Sequence, residues 1–282
     1  MSCLILSKFF QEVLEENVLP IVLDNRRKPK YVINRGDVVR LGRHFLLCGD
    51  STNAEEVKGF LSGVVVNAVI TDPPYGINYS KKNSFLNAID KRNRITTPIL
   101  NDDICGRGFE DFYDSFFKVF VPFLADYNQV YVFCTGSKLV DLLNVFRKNG
   151  VYFSLLLVWI KNRHVFSRTD YLFQNEFIVY GWKGRHKFFG KKQTTVLNYD
   201  KPLVSKFHPT QKPIELLKDL VLHSTRDNGV VFDGFAGGGS TLLACELMNR
   251  VCYAVELDSV YCSVIKERWE ELVSQKKLWG FE

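Results

Sequence analysis

Apolar residues along this chain recur with two different periods. Short runs rich in β-branched and aromatic residues, at 45–48, 64–71, 130–134, 155–160, 177–182, 230–233 and 252–257, read as strands. Between many of them the apolar positions fall three and four residues apart, the spacing of a single helix face. That spacing predicts helices over 109–123, 138–148, 213–224, 241–249 and 260–273. The third opens on Pro213, whose missing N–H costs nothing in a first turn. Seven strands alternating with helices predict an α/β fold, a mainly parallel seven-stranded sheet with helices on both faces. Ligands of such sheets bind beyond the carboxyl ends of the strands.

Residues 1–34 fall outside this alternation and end in the basic, proline-containing stretch 24–30, so they read as an appendage and linker before one domain over 35–282. Two polar segments, 76–99 and 183–207, are too long to be mere connections in a compact domain. With 46% hydrophobic and 24% charged residues the composition is that of an ordinary globular chain. The longest apolar run, 151–160, is broken by Ser154 and falls short of the roughly 20 residues that cross a bilayer. No membrane span is expected. The start, with Leu4-Ile5-Leu6, lacks the charged region and cleavage site of a secretory signal, which predicts a cytoplasmic protein. Seven cysteines without a Cys-x-x-Cys pair predict scattered buried thiols rather than a disulfide framework or a metal centre.

The net charge of +6 matters less than its distribution. Segment 78–98 holds five Lys or Arg against one Asp, and segment 183–212 holds eight against Asp200, so these two carry +4 and +7 and the remainder is net negative. Basic charge focused into turn-rich segments predicts surfaces that meet a polyanion. Lys81, Lys82, Arg92 and Arg94 in the first, and Lys187, Lys191 and Lys192 in the second, are the candidate DNA-phosphate contacts. In Lys187-Phe-Phe-Gly-Lys-Lys192 the interleaved rings also suit groove insertion.

Two constellations carry chemistry. In the stretch 230–241 a strand ends at Asp233 and runs through Gly-Phe-Ala-Gly-Gly-Gly into Ser240 and Thr241 at the head of a helix. Glycines there let backbone approach a ligand and allow positive φ. Glu256 closes the next strand, 23 residues after Asp233, about the spacing at which an acid takes the hydroxyls of a ribose. A Rossmann-like nucleoside pocket follows. In Val69-Ile-Thr-Asp-Pro-Pro-Tyr75 an apolar strand delivers a carboxylate, two prolines and a ring into a rigid turn. The Asp72 carboxylate and the Pro73 carbonyl can each accept one hydrogen of an exocyclic amino group. The nitrogen is then drawn towards tetrahedral geometry, and its lone pair, otherwise delocalised into the base, becomes available. Pro74 stiffens the turn, and Tyr75 is placed to stack on a base lifted from its duplex.

At this point the chain resembles the DNA amino methyltransferases in the permuted order called the beta class, in which the catalytic motif precedes the cofactor motif. The resemblance runs from about Gly36 to Trp269. It rests on Asp72-Pro-Pro-Tyr75 as the catalytic tetrapeptide, on the loop from Asp233 to Thr241, and on Glu256 as the ribose acid. It implies S-adenosylmethionine as cofactor, held through Asp50, Asp72, Lys212, Asp233, Phe235, Gly237, Gly239, Ser240, Thr241 and Glu256. Asp50, ending the strand 45–48, would contact the cofactor's adenine, and Lys212, within His208-Pro-Thr-Gln-Lys-Pro213, its methionine end. Gly234 stands where the family usually has Pro and Gly238 where it usually has Ser, which predicts a looser loop. Trp159-Ile-Lys161 and the segment 176–182 resemble walls of the target-base pocket, and 183–207 takes the position of a short target-recognition segment. The implied substrate is adenine N6 in double-stranded DNA; a homodimer and a restriction endonuclease partner stay open.

Several other readings compete. Cytosine N4 uses the same geometry, although cytosine members of the family more often carry Ser in place of Asp72. A cytosine C5 enzyme needs a nucleophilic cysteine, usually in Pro-Cys, and that dipeptide is absent. A nucleotide-dependent oxidoreductase explains the glycine turn but not the tetrapeptide. A DNA-binding module without activity and an RNA target complete the alternatives.

Overall fold

The computed structural model describes residues 29–75, 108–165, 170–200 and 211–278. Among these, nine strands form one sheet: β1 Val38–Leu41, β2 His44–Cys48, β3 Val66–Thr71, β4 Leu124–Cys134, β5 Tyr152–Val165, β6 Phe173–Trp182, β7 Val196–Asn198, β8 Val230–Asp233 and β9 Val251–Glu256. Their order across the sheet is β1-β2-β9-β8-β3-β4-β6-β5-β7. The neighbours β2, β9, β8, β3 and β4 all run parallel. β6 is antiparallel to both β4 and β5, and β1 to β2. Nine strands rather than seven corrects the expected count. The two additions, β1 and β7, are edge strands of four and three residues, half of whose positions face solvent, so neither presents an apolar period to read.

Because successive strand residues point to opposite faces, each buried strand supplies two cores. Leu46, Ala68, Ile70, Tyr131, Phe133, Val231 and Ala254 pack towards helices α4 Ile214–Ser224, α5 Ser240–Leu247 and α6 Ser259–Leu278. Leu47, Val69, Val130, Val132, Phe232 and Val255 face α1 Ala54–Phe60, α2 Gly108–Phe120 and α3 Leu139–Lys148. The second core is aromatic: Phe116, Phe117, Phe120, Phe146 and Phe232 meet at centroid separations of 4.9–6.2 Å. Five helices match the predicted ones. The sixth, α1, was missed although its signal was present: the Asn53 side chain accepts from the N–H groups of Glu55 and Glu56, an N-cap at the head of a short helix. Cys48, Cys134, Cys245, Cys252 and Cys262 are buried free thiols, as expected for those five.

The end of the segment read as appendage and linker contacts the domain. Tyr31 donates its N–H to Ser263 Oγ at 3.0 Å and Lys30 donates its own to Glu267 Oε1 at 3.3 Å, while Ile33 is buried. Residues 30–33 are thus docked on α6, and 1–28 of this segment lie outside the described residues. Among the described residues no helix is long and apolar enough to cross a membrane.

Candidate active site

The chain leaves β8 for β9 in one direction across the sheet and β3 for β4 in the other, so β8 and β3 flank the point where strand order reverses. The carboxyl ends of two such strands leave a crevice between their diverging connections. Both ends here carry an acid. Thr71, the last residue of β3, donates its hydroxyl to Asp233 Oδ1 at 2.9 Å, which brings the turn that begins at Asp72 beside the glycine loop that begins at Asp233. The two motifs, far apart in the chain, are joined by strand pairing between Ala68 and Val231.

Asp72 is half-buried and its carboxylate is bonded on both sides. Oδ2 accepts from the Lys212 ammonium and Oδ1 from the Tyr75 hydroxyl. Lys212 also reaches Glu176 Oε2 at 3.1 Å, and Glu176 Oε1 pairs with Lys161 at 2.7 Å. Four charges of alternating sign therefore run in a row from β5 through β6 to the turn after β3. Burial pushes the Asp72 carboxyl above its ordinary value, opposed by the Lys212 cation. Burial acts the same way on Glu176, but Lys212 and Lys161 outweigh it and hold that acid down at about 2.

The cofactor-side residues gather as expected around the ends of β2, β8 and β9. Cys48 pairs with Glu256 in register, so the strand 45–48 does supply the third strand of this half, with Asp50 just beyond it. Asp50 Oδ1 accepts from the Thr52 N–H at 2.9 Å and hydroxyl at 2.7 Å. Glu256 Oε2 accepts the Gly237 N–H at 2.7 Å, and Oε1 that of Asp258 at 2.9 Å. Burial raises this acid to about 8 despite those two donors. Asp233 is likewise raised by burial to about 6, with Thr241, the Phe235 N–H and Thr71 opposing. Gly237 and Gly239 adopt φ of 51° and 80°, and Gly239 caps α5, whose first residues Ser240 and Thr241 are buried.

The loop is not slack where glycine replaces the usual residues. A Cβ on Gly234 would lie 2.2 Å from Phe116 Cε2, so the ring occupies the space that a proline would need. Arg268 of α6, buried, donates to the Gly238 carbonyl. The expected looseness is thus corrected: α2 and α6 brace the loop from both sides. Gly234→Pro should lower stability by about 1–3 kcal/mol through overpacking. In a Phe116→Leu background the penalty should shrink, and denaturant midpoints of the four proteins would measure this coupling. An equal penalty in both backgrounds would disprove the contact.

The structure gives other expected site residues neighbours of their own. Tyr75 is buried among the aromatic core residues, with its hydroxyl on Asp72 instead of its ring turned outwards, so stacking on a base requires it to leave that seat. Lys212, expected at the methionine end of the cofactor, sits between two protein carboxylates. Phe235 packs on Phe116 at 4.8 Å. Lys187, Lys191 and Lys192 are exposed; Lys187 is held at the opposite end of the sheet, whereas the chain after Lys192 returns to pair β7 with Val158–Ile160 of β5. Gln129 donates to the Lys187 carbonyl at 2.6 Å, and the Phe189 N–H donates to the His223 carbonyl at 2.9 Å, near the carboxyl end of α4. Lys212 precedes the amino end of that 11-residue helix, roughly 16 Å away at 1.5 Å per residue. The structure therefore does not bring Lys187 together with Asp72, and Lys191 and Lys192 lie between that anchor and β7. Lys81, Lys82, Arg92, Arg94 and the stretch 201–210 lie outside the described residues. Tyr113 was missed entirely: its hydroxyl is buried without a hydrogen-bond partner among the described residues, and the Asp72 charge helps raise it far above its ordinary value, after burial.

Known proteins share this fold. The chain is 24% identical to the type II methyltransferase M2.MboI of Moraxella bovis, over 73% of this chain and 81% of that protein. Its fold is similar to the M1.HpyAVI–SAM complex, with a TM-score of 0.58 at 22% identity over 79% of this chain and 97% of the other. It is also similar to the PvuII DNA methyltransferase, described as cytosine-N4-specific, with a TM-score of 0.60 at 15% identity over 89% and 95%. The profile of the DNA methylase family, which groups N6 and N4 methyltransferases, matches residues 66–267, so this chain belongs to that family.

Proposed function

We propose that the chain transfers a methyl group from S-adenosylmethionine to adenine N6 of a base flipped out of double-stranded DNA. The observation that carries the choice of base is an aspartate at position 72, half-buried at the switch point between β3 and β8. The cofactor fits the residues present. Acids at the ends of β2, β8 and β9, namely Asp50, Asp233 and Glu256, suit a ligand that is cationic and bears ribose hydroxyls, and burial raises Glu256 to about 8 and Asp233 to about 6, so a further donor or a cation would favour the ionised form of each. Gly237, Gly239, Phe235, Ser240 and Thr241 would complete its cradle. Once bound it supplies an electrophilic methyl group.

The protein's own part is to aim the nitrogen. Asp72 and the Pro73 carbonyl accept the two amino hydrogens, Pro74 keeps that carbonyl in place, and Tyr75 moves from Asp72 onto the base. Expression in a host without its own DNA methylation, followed by single-molecule sequencing, tests this reading. N6-methyladenine at a defined sequence is expected; N4-methylcytosine would transfer the mechanism to the other base, and unmodified DNA would overturn it.

For phosphate contact the favoured residues are Lys81, Lys82, Arg92 and Arg94, because their segment leaves the chain directly after Tyr75. Lys187 would touch phosphate only where the duplex extends along the sheet edge to its far end, and Lys191 and Lys192 follow it on the way to the edge strand β7. Two direct phosphate contacts would contribute about 1.8 to the slope of log affinity against log salt. Replacing Lys191 and Lys192 by Ala should change the slope by less than about 1, as filter-binding titrations between 50 and 300 mM salt, roughly the range over which phosphate contacts are read out, would show. A loss near 1.8 would put the duplex on that edge.

A further inference from the structure

We propose that Glu176 and Lys161 are positioning residues for the catalytic carboxylate: through Lys212 they form a buried, charge-balanced relay that fixes the aim and ionisation of Asp72. This inference rests on the reading of Asp72 as the group that orients the target nitrogen. The geometry is continuous, Lys161 to Glu176 at 2.7 Å, Glu176 to Lys212 at 3.1 Å, and Lys212 to Asp72. The side chains of Lys161 and Lys212 are only 4% and 7% exposed, so neither charge is sustained by water.

Burial of an ionised group without a partner is costly enough that the group gives up its charge instead. Lys212 alone could not stabilise two carboxylates, and Glu176 alone between Lys212 and the apolar sheet would compete with Asp72 for that single ammonium. The second cation resolves the competition. Lys161 takes Glu176 Oε1, which leaves two cations for two anions and keeps Lys212 available to Asp72. Both outer residues are held by the β5–β6 ladder, where Trp159 pairs with Glu176 and the Gln174 side chain donates to the Lys161 carbonyl at 3.1 Å. Rigid strands thus set the far end of the relay, whereas Asp72 and Lys212 themselves sit in connecting turns.

The other groups that act on Asp72 are few. Tyr75 donates to it, and Tyr113 of α2, Cys134 of β4 and Asp233 of β8 feel its charge. Tyr113 and Cys134 are kept neutral by burial, which raises both, the thiol to about 12. Lys212 is therefore the cation on which Asp72 depends among the described residues, and the charges behind Lys212 decide how strongly it acts.

Charge balance makes the test directional. The Asp72 carboxyl is titrated by carbon-13 NMR in the protein without cofactor or DNA, and assigned with Asp72→Asn. Lys161→Met leaves the relay one charge negative and should raise the Asp72 titration by about 1 pH unit. Glu176→Gln leaves it one charge positive and should lower the titration by a similar amount. The double variant is balanced again and should return close to wild type, and Lys161→Arg should not move it. The acid limb of the methylation rate should follow the same order. Equal titrations in folded single variants, or displacement of both in one common direction, would overturn the relay; if one single variant fails to fold, the other must still be displaced in its stated direction and the double variant must cancel that displacement. Were wild type to methylate no DNA, the functional reading would fail while the titration still judged the relay.

Discussion

Asp72→Ala should reduce methyl transfer by at least about 100-fold while S-adenosylmethionine still binds. The magnitude follows from the effect of removing one preorganised group that acts on the reacting atom, commonly a factor of 100 to 1,000, roughly 2.7–4 kcal/mol of barrier. The cofactor should tolerate the change because the acids proposed to hold it at the strand ends, Asp50, Asp233 and Glu256, each accept a hydrogen bond from their own strand end or loop and stay in place without Asp72. Lys212 keeps Glu176 as a partner, although it then shares that carboxylate with Lys161 and the row is left one charge positive, so the fold of the variant is checked alongside its rate. Asp72→Asn is the finer probe, since an amide oxygen can still accept one amino hydrogen; its rate should fall between those of Ala and wild type. Single-turnover methylation gives the rate and calorimetry the cofactor affinity. Retention of more than a few per cent of wild-type turnover by the Ala variant would refute the role of Asp72.

Cofactor affinity should rise with pH through about 8, and this rise should vanish in Glu256→Gln. Burial raises the Glu256 carboxyl from 4.5 to about 8, so the folded apo protein holds a proton there at neutral pH. The sign for stability follows: the contribution from this proton is fully present below pH 4.5 and is lost as pH rises through about 8. Binding runs the other way. Ribose hydroxyls donate to the ionised carboxylate, so the proton must leave, and affinity at pH 6.5 should be on the order of 10-fold weaker than above pH 8. The amino group of the cofactor titrates identically in both proteins, so the difference between their curves reports Glu256. Glu256→Ala removes two charge-assisted bonds of about 1.5–3 kcal/mol each and should weaken binding at least 100-fold at high pH. Calorimetric affinities unchanged in both variants would put the cofactor elsewhere.

Local chemistry was legible in the sequence because it is written in adjacent residues. An apolar run ending in Asp72-Pro-Pro-Tyr75 is a strand and a rigid turn in any fold that buries it, and the glycines after Asp233 announce a close backbone approach by themselves. The spacing from Asp233 to Glu256 spans one β–α–β unit, and that alone sets the two strand ends side by side. Alternation of periods was enough for a parallel sheet and for the crevice beyond its carboxyl ends.

Tertiary structure decided what depends on residues distant in the chain. Lys212 meets Asp72 across 140 positions, and nothing local to either marks Glu176 and Lys161 as the charges behind them. Gly234 looked like a slack substitution until Phe116 proved to fill the vacant space. β1 and β7 carry no readable period because an edge strand of three or four residues is half solvated. Lys187 shows the same limit for charge: a sum over a segment measures how much charge it holds, whereas the hydrogen bonds from Gln129 and to His223 place that lysine away from Asp72. Sequence determines strongly wherever the deciding interaction lies within one turn or one strand. Packing decides the remainder, because buried charges and close-packed rings respond to whatever the fold brings within a few ångströms.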